Sequence, residues 1–329
     1  MVRVLVLAPL AIVFVLVCFL AYSLLKVRFF APAPGPVRAD GPEARALRAH
    51  VEELAVRIGP RSAEEPEALA RAREYIAGIL RDAGYVPRYQ DVPYGGRTYH
   101  NVIATLPGRD EAAGVVVAGA HYDTVWGTPG ADDNASAVAV LLEAAKALAG
   151  RRFRLPVEFA FFTLEEPPVF PSRAMGSAVY ASALRATGRE VAAMLCLEMV
   201  GYYPGSQGRQ AFPFPLMGWF YRSVPDFVAV VGNWRSRGLV REVAAAFRAA
   251  SALPVETLAA GRFVPGIDFS DHRWFWAMGW PAVMVTDTAF YRNPHYHRPT
   301  DTPDTLHYGA MAELVEGVAE AVRVLAGRP

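Results

Sequence analysis

The apolar residues of this chain fall into two rhythms. Residues 115–118, 157–164, 192–200 and 281–286 are short, nearly uninterrupted apolar runs, the pattern of strands buried on both faces. Residues 227–231 read as an added strand. Residues 43–58, 66–83, 138–148 and 308–325 repeat apolar positions at helical spacing instead. Strands alternating with helices predict an α/β fold, a three-layer α/β/α sandwich around a mixed, mostly parallel sheet. There is no internal repeat, so residues 41–329 are expected to form one domain, near the upper size for a single core.

Residues 4–25, from Val4 to Leu25, are apolar throughout apart from Tyr22 and Ser23, a length that crosses a bilayer. A cleaved signal peptide has an apolar core of about 7–15 residues, and Ala31-Pro32-Ala33 is followed by Pro34, a poor cleavage context. We therefore expect an uncleaved transmembrane helix within residues 1–30, with the lipid bilayer as its partner. Residues 31–40, rich in proline and alanine at their start, are the expected stiff linker. Arg3 on one flank and Lys26, Arg28 and Arg38 on the other do not decide orientation; the expectation is a single-pass anchor with the domain outside the cytoplasm.

Charge and cysteine usage narrow the picture. A formal net charge of +1 gives no footprint for nucleic acid, and a hydrophobic fraction of 53% excludes a disordered chain. Cys18 lies in the expected anchor and Cys196 in a strand run, so no disulfide forms within the domain.

Candidate chemistry sits where the runs end. His121 follows the first strand, the usual place for ligands in open sheets, with Asp123 two residues on to accept its second imidazole N–H. Gly130-Ala131-Asp132-Asp133-Asn134-Ala135-Ser136 leads into a helix. Acids, Asn and Ser cap helices, but capping explains one carboxylate, not two adjacent ones. Asn134-Ala135-Ser136 also matches a glycosylation sequon, read as chance because a tight turn requires the asparagine. Glu165-Glu166 ends another strand, and two adjacent carboxylates call for a cation or a shared proton. Glu198 lies inside an apolar run, where an unpaired carboxylate costs several kcal/mol. His295 and His297 occupy a proline-containing loop, and spacing does not choose between them.

His121-Tyr122-Asp123, residues 130–136, Glu165-Glu166, Leu197-Glu198-Met199 and His297 through Asp301-Thr302, in this order, resemble the M28 family of zinc metallopeptidases over residues 45–325. The resemblance implies two Zn2+ ions bridged by Asp132, with a cis peptide from Asp132 to Asp133. His121 and Glu198 would complete one site, Glu166 and His297 the other, and Glu165 would be the general base. It selects His297 over His295 because the Pro-Thr-Asp-Thr run follows it. One departure concerns the oxyanion: the family's tyrosine before Ser-Asp-His is missing from residues 265–272, leaving His272, Tyr122 and Tyr296 as candidates. Ser270 and Asp271 can equally be helix caps.

These features predict a peptide-cleaving hydrolase, most simply an aminopeptidase. Two other readings remain open, a glutaminyl-cyclase-like enzyme with a single zinc and a non-catalytic binding ectodomain. The complete acid and histidine set argues against both. Residues 202–237, with four prolines among Phe212, Phe214, Trp219, Phe220, Tyr221 and Trp234, are too irregular for one helix and read as a pocket wall or as an apolar flap on a membrane or partner.

Overall fold

The structure, a computed structural model, describes residues 41–327. Strands β1 (Arg88–Tyr94), β2 (Arg97–Leu106), β3 (Val115–His121), β4 (Val157–Phe162), β5 (Val191–Glu198), β6 (Val228–Gly232), β7 (Val255–Ala259) and β8 (Ala282–Thr286) form one mixed sheet in the order β1-β2-β4-β3-β5-β8-β6-β7. The central strands β4, β3, β5 and β8 run parallel. β2 joins one side and β6 the other in antiparallel sense, and β7 runs parallel to β6. The expected mixed sheet is present, and residues 227–231 do contribute a strand. β1, β2 and β7 lie outside the expected strands; β1, with its exposed polar residues, pairs with β2 across Gly95-Gly96, whose φ values of 57° and 75° suit a tight hairpin turn.

Strand alternation assigns each residue a face. Val116, Ala118, Leu195, Leu197, Val283 and Val285 point into a large core shared with helices Pro42–Glu52, Pro66–Asp82, Ala137–Leu148, Arg237–Ala250 and Tyr308–Ala326. Val115, Val117, Met194, Cys196 and Ala282 point the other way, against helices Gly176–Ala186 and His272–Ala277. This second helical layer stops short. Beyond β8, the same face of β6 carries Ala229 and Val231, which pack with Met284, Val264 and Ile267 from strand and loops rather than against a helix.

Among the described residues no helix is long and apolar enough to cross a membrane. The expected anchor at residues 4–25 and the linker at residues 31–40 lie outside the described residues.

His272 opens the short helix His272–Ala277 inside the second layer, where it is fully buried. Its Nε2 donates to the Ile267 carbonyl at 2.8 Å and its ring lies edge-on to Trp276 at 4.5 Å. It takes no part in lining the large pocket described below, which removes it from the oxyanion candidates. Burial depresses its pKa from 6.5 to about 4, so it is neutral in the fold at pH values where the unfolded chain is protonated. Stability from this residue is therefore full above pH 6.5 and declines as pH falls towards 4, by roughly 3 kcal/mol at most. Urea unfolding across that window should show His272→Gln with a shallower loss of stability on acidification than the parent chain.

Candidate metal centre

β4 and β5 flank β3 on opposite sides, so a crevice opens at the carboxyl ends of these parallel strands, where open sheets bind ligands. His121 closes β3 and Glu198 closes β5. Glu165-Glu166 follow β4, Asp133 lies in the turn before helix Ala137–Leu148, and His297 comes from the loop after β8. His121 Nε2 is 3.4 Å from Asp133 Oδ1 and 3.4 Å from Glu198 Oε2. His297 Nε2 is 3.3 Å from Asp133 Oδ2 and 3.3 Å from Glu166 Oε2. Asp133 thus presents one oxygen to each histidine–carboxylate pair.

These groups fit metal ions better than they fit one another. His121 Nε2, Asp133 Oδ1 and His297 Nε2 are buried without a hydrogen-bond partner among the described residues, which is costly for polar atoms unless something else binds them. Each triad offers one imidazole and two carboxylates within a single coordination sphere, the nitrogen and oxygen donors that zinc accepts while keeping a position open. The electrostatics agree. Burial disfavours charge on His121, yet Glu198, Asp123 and Asp133 lift its pKa well above 6.5; Asp133 and Glu166 likewise lift His297 to about 10. A negative field that strong holds positive charge between the two rings.

Asp132, the expected bridging ligand, is not part of either triad. Its Oδ1 accepts from Gly201 N at 2.8 Å and its Oδ2 from Asn293 Nδ2 at 2.6 Å, so the side chain faces the segments after β5 and β8. The turn gives the metal-facing position to Asp133 instead. The non-proline cis peptide also lies one residue later than expected, between Asp133 and Asn134. Asn134 is fully buried, its amide spanning the Leu197 carbonyl and Met199 N–H, which leaves no room for a glycan.

Supporting residues hold these side chains at both ends. Asp123 accepts the backbone N–H groups of Glu165 and Glu166, both at 3.0 Å, and thereby clamps the turn after β4. His121 Nδ1 lies nearer the Asp123 backbone carbonyl, at 3.2 Å, than its carboxylate, at 3.5 Å, so Asp123 orients both elements. Asp301 accepts from Asp132 N and Asp133 N, joining the acidic turn to the His297 loop. Ser270 Oγ donates to Glu198 Oε2 at 2.6 Å and caps no helix. Arg61, fully buried, donates to the carbonyls of Leu54, Gly59, Tyr122, Pro129 and Gly130 and gathers the loop between His121 and Asp133 around one guanidinium. Arg61 and Ser270 escape sequence reading because their partners are distant in the chain.

Glu165 lies with His121 and Glu166 at the same centre. Burial, reinforced by Glu166, Glu198 and Asp271, raises its pKa well above 4.5, and burial carries Glu166 up to about 8.

Of the remaining oxyanion candidates, Tyr122 is excluded by strand alternation. It turns into the opposite core from His121 and donates to the His100 carbonyl at 2.6 Å. Tyr296 stacks on the His297 ring, 3.7 Å between centroids, and lines the pocket together with Glu198. His295 instead bonds Thr300 Oγ1, leaving His297 as the histidine of this loop that faces Asp133 and Glu166. The pocket is open to solvent and is walled by aromatic and aliphatic residues including Phe212, Met217, Tyr221, Phe269 and Phe290. The segment after residue 202 therefore serves as a pocket wall, with Phe214, Leu216 and Trp219 exposed on its outside.

Comparison with known proteins identifies the family. Residues 101–322 match the model of peptidase family M28. The chain is 40% identical to the Escherichia coli K12 protein YfbL over 93% of this chain and 97% of that protein. It is 30% identical to a probable leucine aminopeptidase of Trichophyton verrucosum over 65% of this chain and 54% of that one, so it spans about half of the fungal protein. Its fold is similar to that of the LapA aminopeptidase of Legionella pneumophila, with a TM-score of 0.68 and 18% identity over 94% of this chain and 74% of that one. A family match over most of the chain, on a site built from the family's residue types, leads to one conclusion: the protein belongs to peptidase family M28.

Proposed function

We propose that this chain is a membrane-tethered di-zinc aminopeptidase that removes N-terminal residues from peptides. The observation that carries the reading is Asp133, whose two oxygens face two separate histidine–carboxylate pairs. His121, Asp133 and Glu198 would hold one ion, and Asp133, Glu166 and His297 the other. Zinc bound there would lower the pKa of water and polarise a carbonyl. Two complete donor sets favour this reading over a cyclase with one zinc, and retention of Glu165 favours it over a binding ectodomain.

Glu165 is the general base. Its raised proton affinity suits a carboxylate that takes a proton from water and passes it to the leaving amine. Tyr296, which lines the pocket beside His297, is the side chain best placed to donate to the oxyanion. Apolar walls next to Glu198 favour substrates whose first side chain has an apolar body. Residues 4–25 would tether the catalytic unit, residues 41–329, to the bilayer on its extracytoplasmic side.

Glu165→Gln should retain zinc by elemental analysis and lose about 10²–10⁴-fold in kcat; near-normal turnover would remove Glu165 from the chemistry. Asp133→Ala should lose both ions, an outcome that unchanged zinc stoichiometry would contradict. An N-acetylated peptide should be a far poorer substrate than its free-amine counterpart, and equal kcat/KM for the two would replace the aminopeptidase reading with an endopeptidase.

A further inference from the structure

The metal centre lies at one end of a cross-strand row that continues to the edge of the sheet. Glu198 of β5 pairs with Thr286 of β8, Thr286 with Ala229 of β6, and Ala229 with Glu256 of β7. Residues paired in register share a face, and all four line the large pocket. Thr286 and Ala229 are small, so the floor between the two glutamates is low. Three strand spacings of about 4.7–4.9 Å separate the ends of the row, or roughly 14 Å.

Glu256 is out of character with its surroundings. Phe212, Met217, Tyr221, Leu258 and Met284 line the same pocket, and no lysine, arginine or histidine is among the residues lining it. The basic side chain beside it is already engaged: Arg222 pairs with Asp226, its Nη2 2.8 Å from Asp226 Oδ2, and gives Glu256 a hydrogen bond from its backbone N–H at 3.3 Å. The Arg248 guanidinium donates to the Val255 carbonyl. Among the described residues Glu256 has no ion pair within 4 Å, and its Oε2 accepts no hydrogen bond. Glu256 is partly buried and lines the pocket, so its Oε2 is free to accept from a cation arriving there.

We propose that Glu256 is a specificity residue that selects peptides beginning with lysine or arginine. The proposal rests on the aminopeptidase reading, in which the first residue of the substrate sits at the Glu198 end with its side chain along the row. Lysine and arginine side chains span roughly 6–7 Å from Cα to the terminal nitrogen. Adding a hydrogen bond of about 2.8 Å at the far end and a similar contact for the amine at Glu198 covers most of the interval. The methylenes lie over Thr286 and Ala229 against the apolar walls, and the charged end reaches Glu256. A leucine fills only the near half of the pocket.

The test compares 4-nitroanilides of lysine, arginine and norleucine, norleucine having the lysine stem without its charge. The parent enzyme should prefer lysine and arginine over norleucine by about tenfold or more in kcat/KM. Glu256→Gln, close to isosteric, should lower the lysine-to-norleucine ratio by about 10–100-fold, the range for a hydrogen bond to a charged partner. A glutamate that only anchors Arg222 would change all three substrates together and leave the ratio intact. A parent enzyme that prefers norleucine, or a ratio unmoved in Glu256→Gln, overturns the proposal. Calorimetric titration of zinc-loaded Glu165→Gln, whose turnover is suppressed, with lysinamide and norleucinamide reads the same ratio from binding alone. Failure of the aminopeptidase reading, seen as no hydrolysis of any of these substrates, thus remains distinct from failure of the Glu256 assignment, seen as equal binding of the two amides.

Discussion

Crowding of negative charge at the carboxyl ends of the central strands is the constraint around which this molecule is organised. Asp123, Asp132, Asp133, Glu165, Glu166, Glu198, Asp271, Asp287 and Asp301 are all buried there, in a setting where each unpaired carboxylate costs several kcal/mol. Backbone N–H groups satisfy Asp123 and Asp301, and Asp132 takes one more along with the Asn293 amide. Asp287 accepts two, from Tyr202 and Ala289. Five remain: Glu165 and Asp271, and the three acids Asp133, Glu166 and Glu198, which turn towards two imidazoles at 3.3–3.4 Å. That division of labour separates structural acids from ligands more sharply than residue type does.

The structural acids also explain why loops rather than strands can carry the chemistry. Asp123 fixes the backbone of Glu165 and Glu166 together, so the two carboxylates share one anchor. Asp301 ties the His297 loop to the turn bearing Asp133, although the two are far apart in sequence. Arg61 performs the same function from outside the sheet, filling with one guanidinium a loop interior that would otherwise leave several carbonyls unpaired.

Much of this was legible before the structure. Uninterrupted apolar runs announced the parallel strands, and residues placed where the runs end announced the site. What failed did so for local reasons. Asp132 and Asp133 are identical neighbours, and only the backbone path of the turn decides which carboxylate faces the crevice. Tyr122 and His272 are the right residue types near the right place, but side-chain direction along a strand and burial inside a helical layer send them elsewhere. β1 and β7 lack the apolar density that marked the central strands. Glu256 was invisible for the same reason: its position in register with Glu198 arises from three strand pairings between segments with no sequence signal linking them.

The second helical layer ends before β6 and β7, and irregular segments close the pocket there. The two ends of the pocket are consequently built of different materials: the buried histidines and carboxylates sit on strand ends and turns locked by buried hydrogen bonds, the far pocket wall on a surface segment whose outer side chains, such as Leu216 and Trp219, are largely solvent-exposed. Segments of that kind accept length and sequence change at little thermodynamic expense. Selectivity in this architecture is therefore evolvable on its own, and a designer wishing to retarget the enzyme has a replaceable part that leaves the catalytic scaffold untouched.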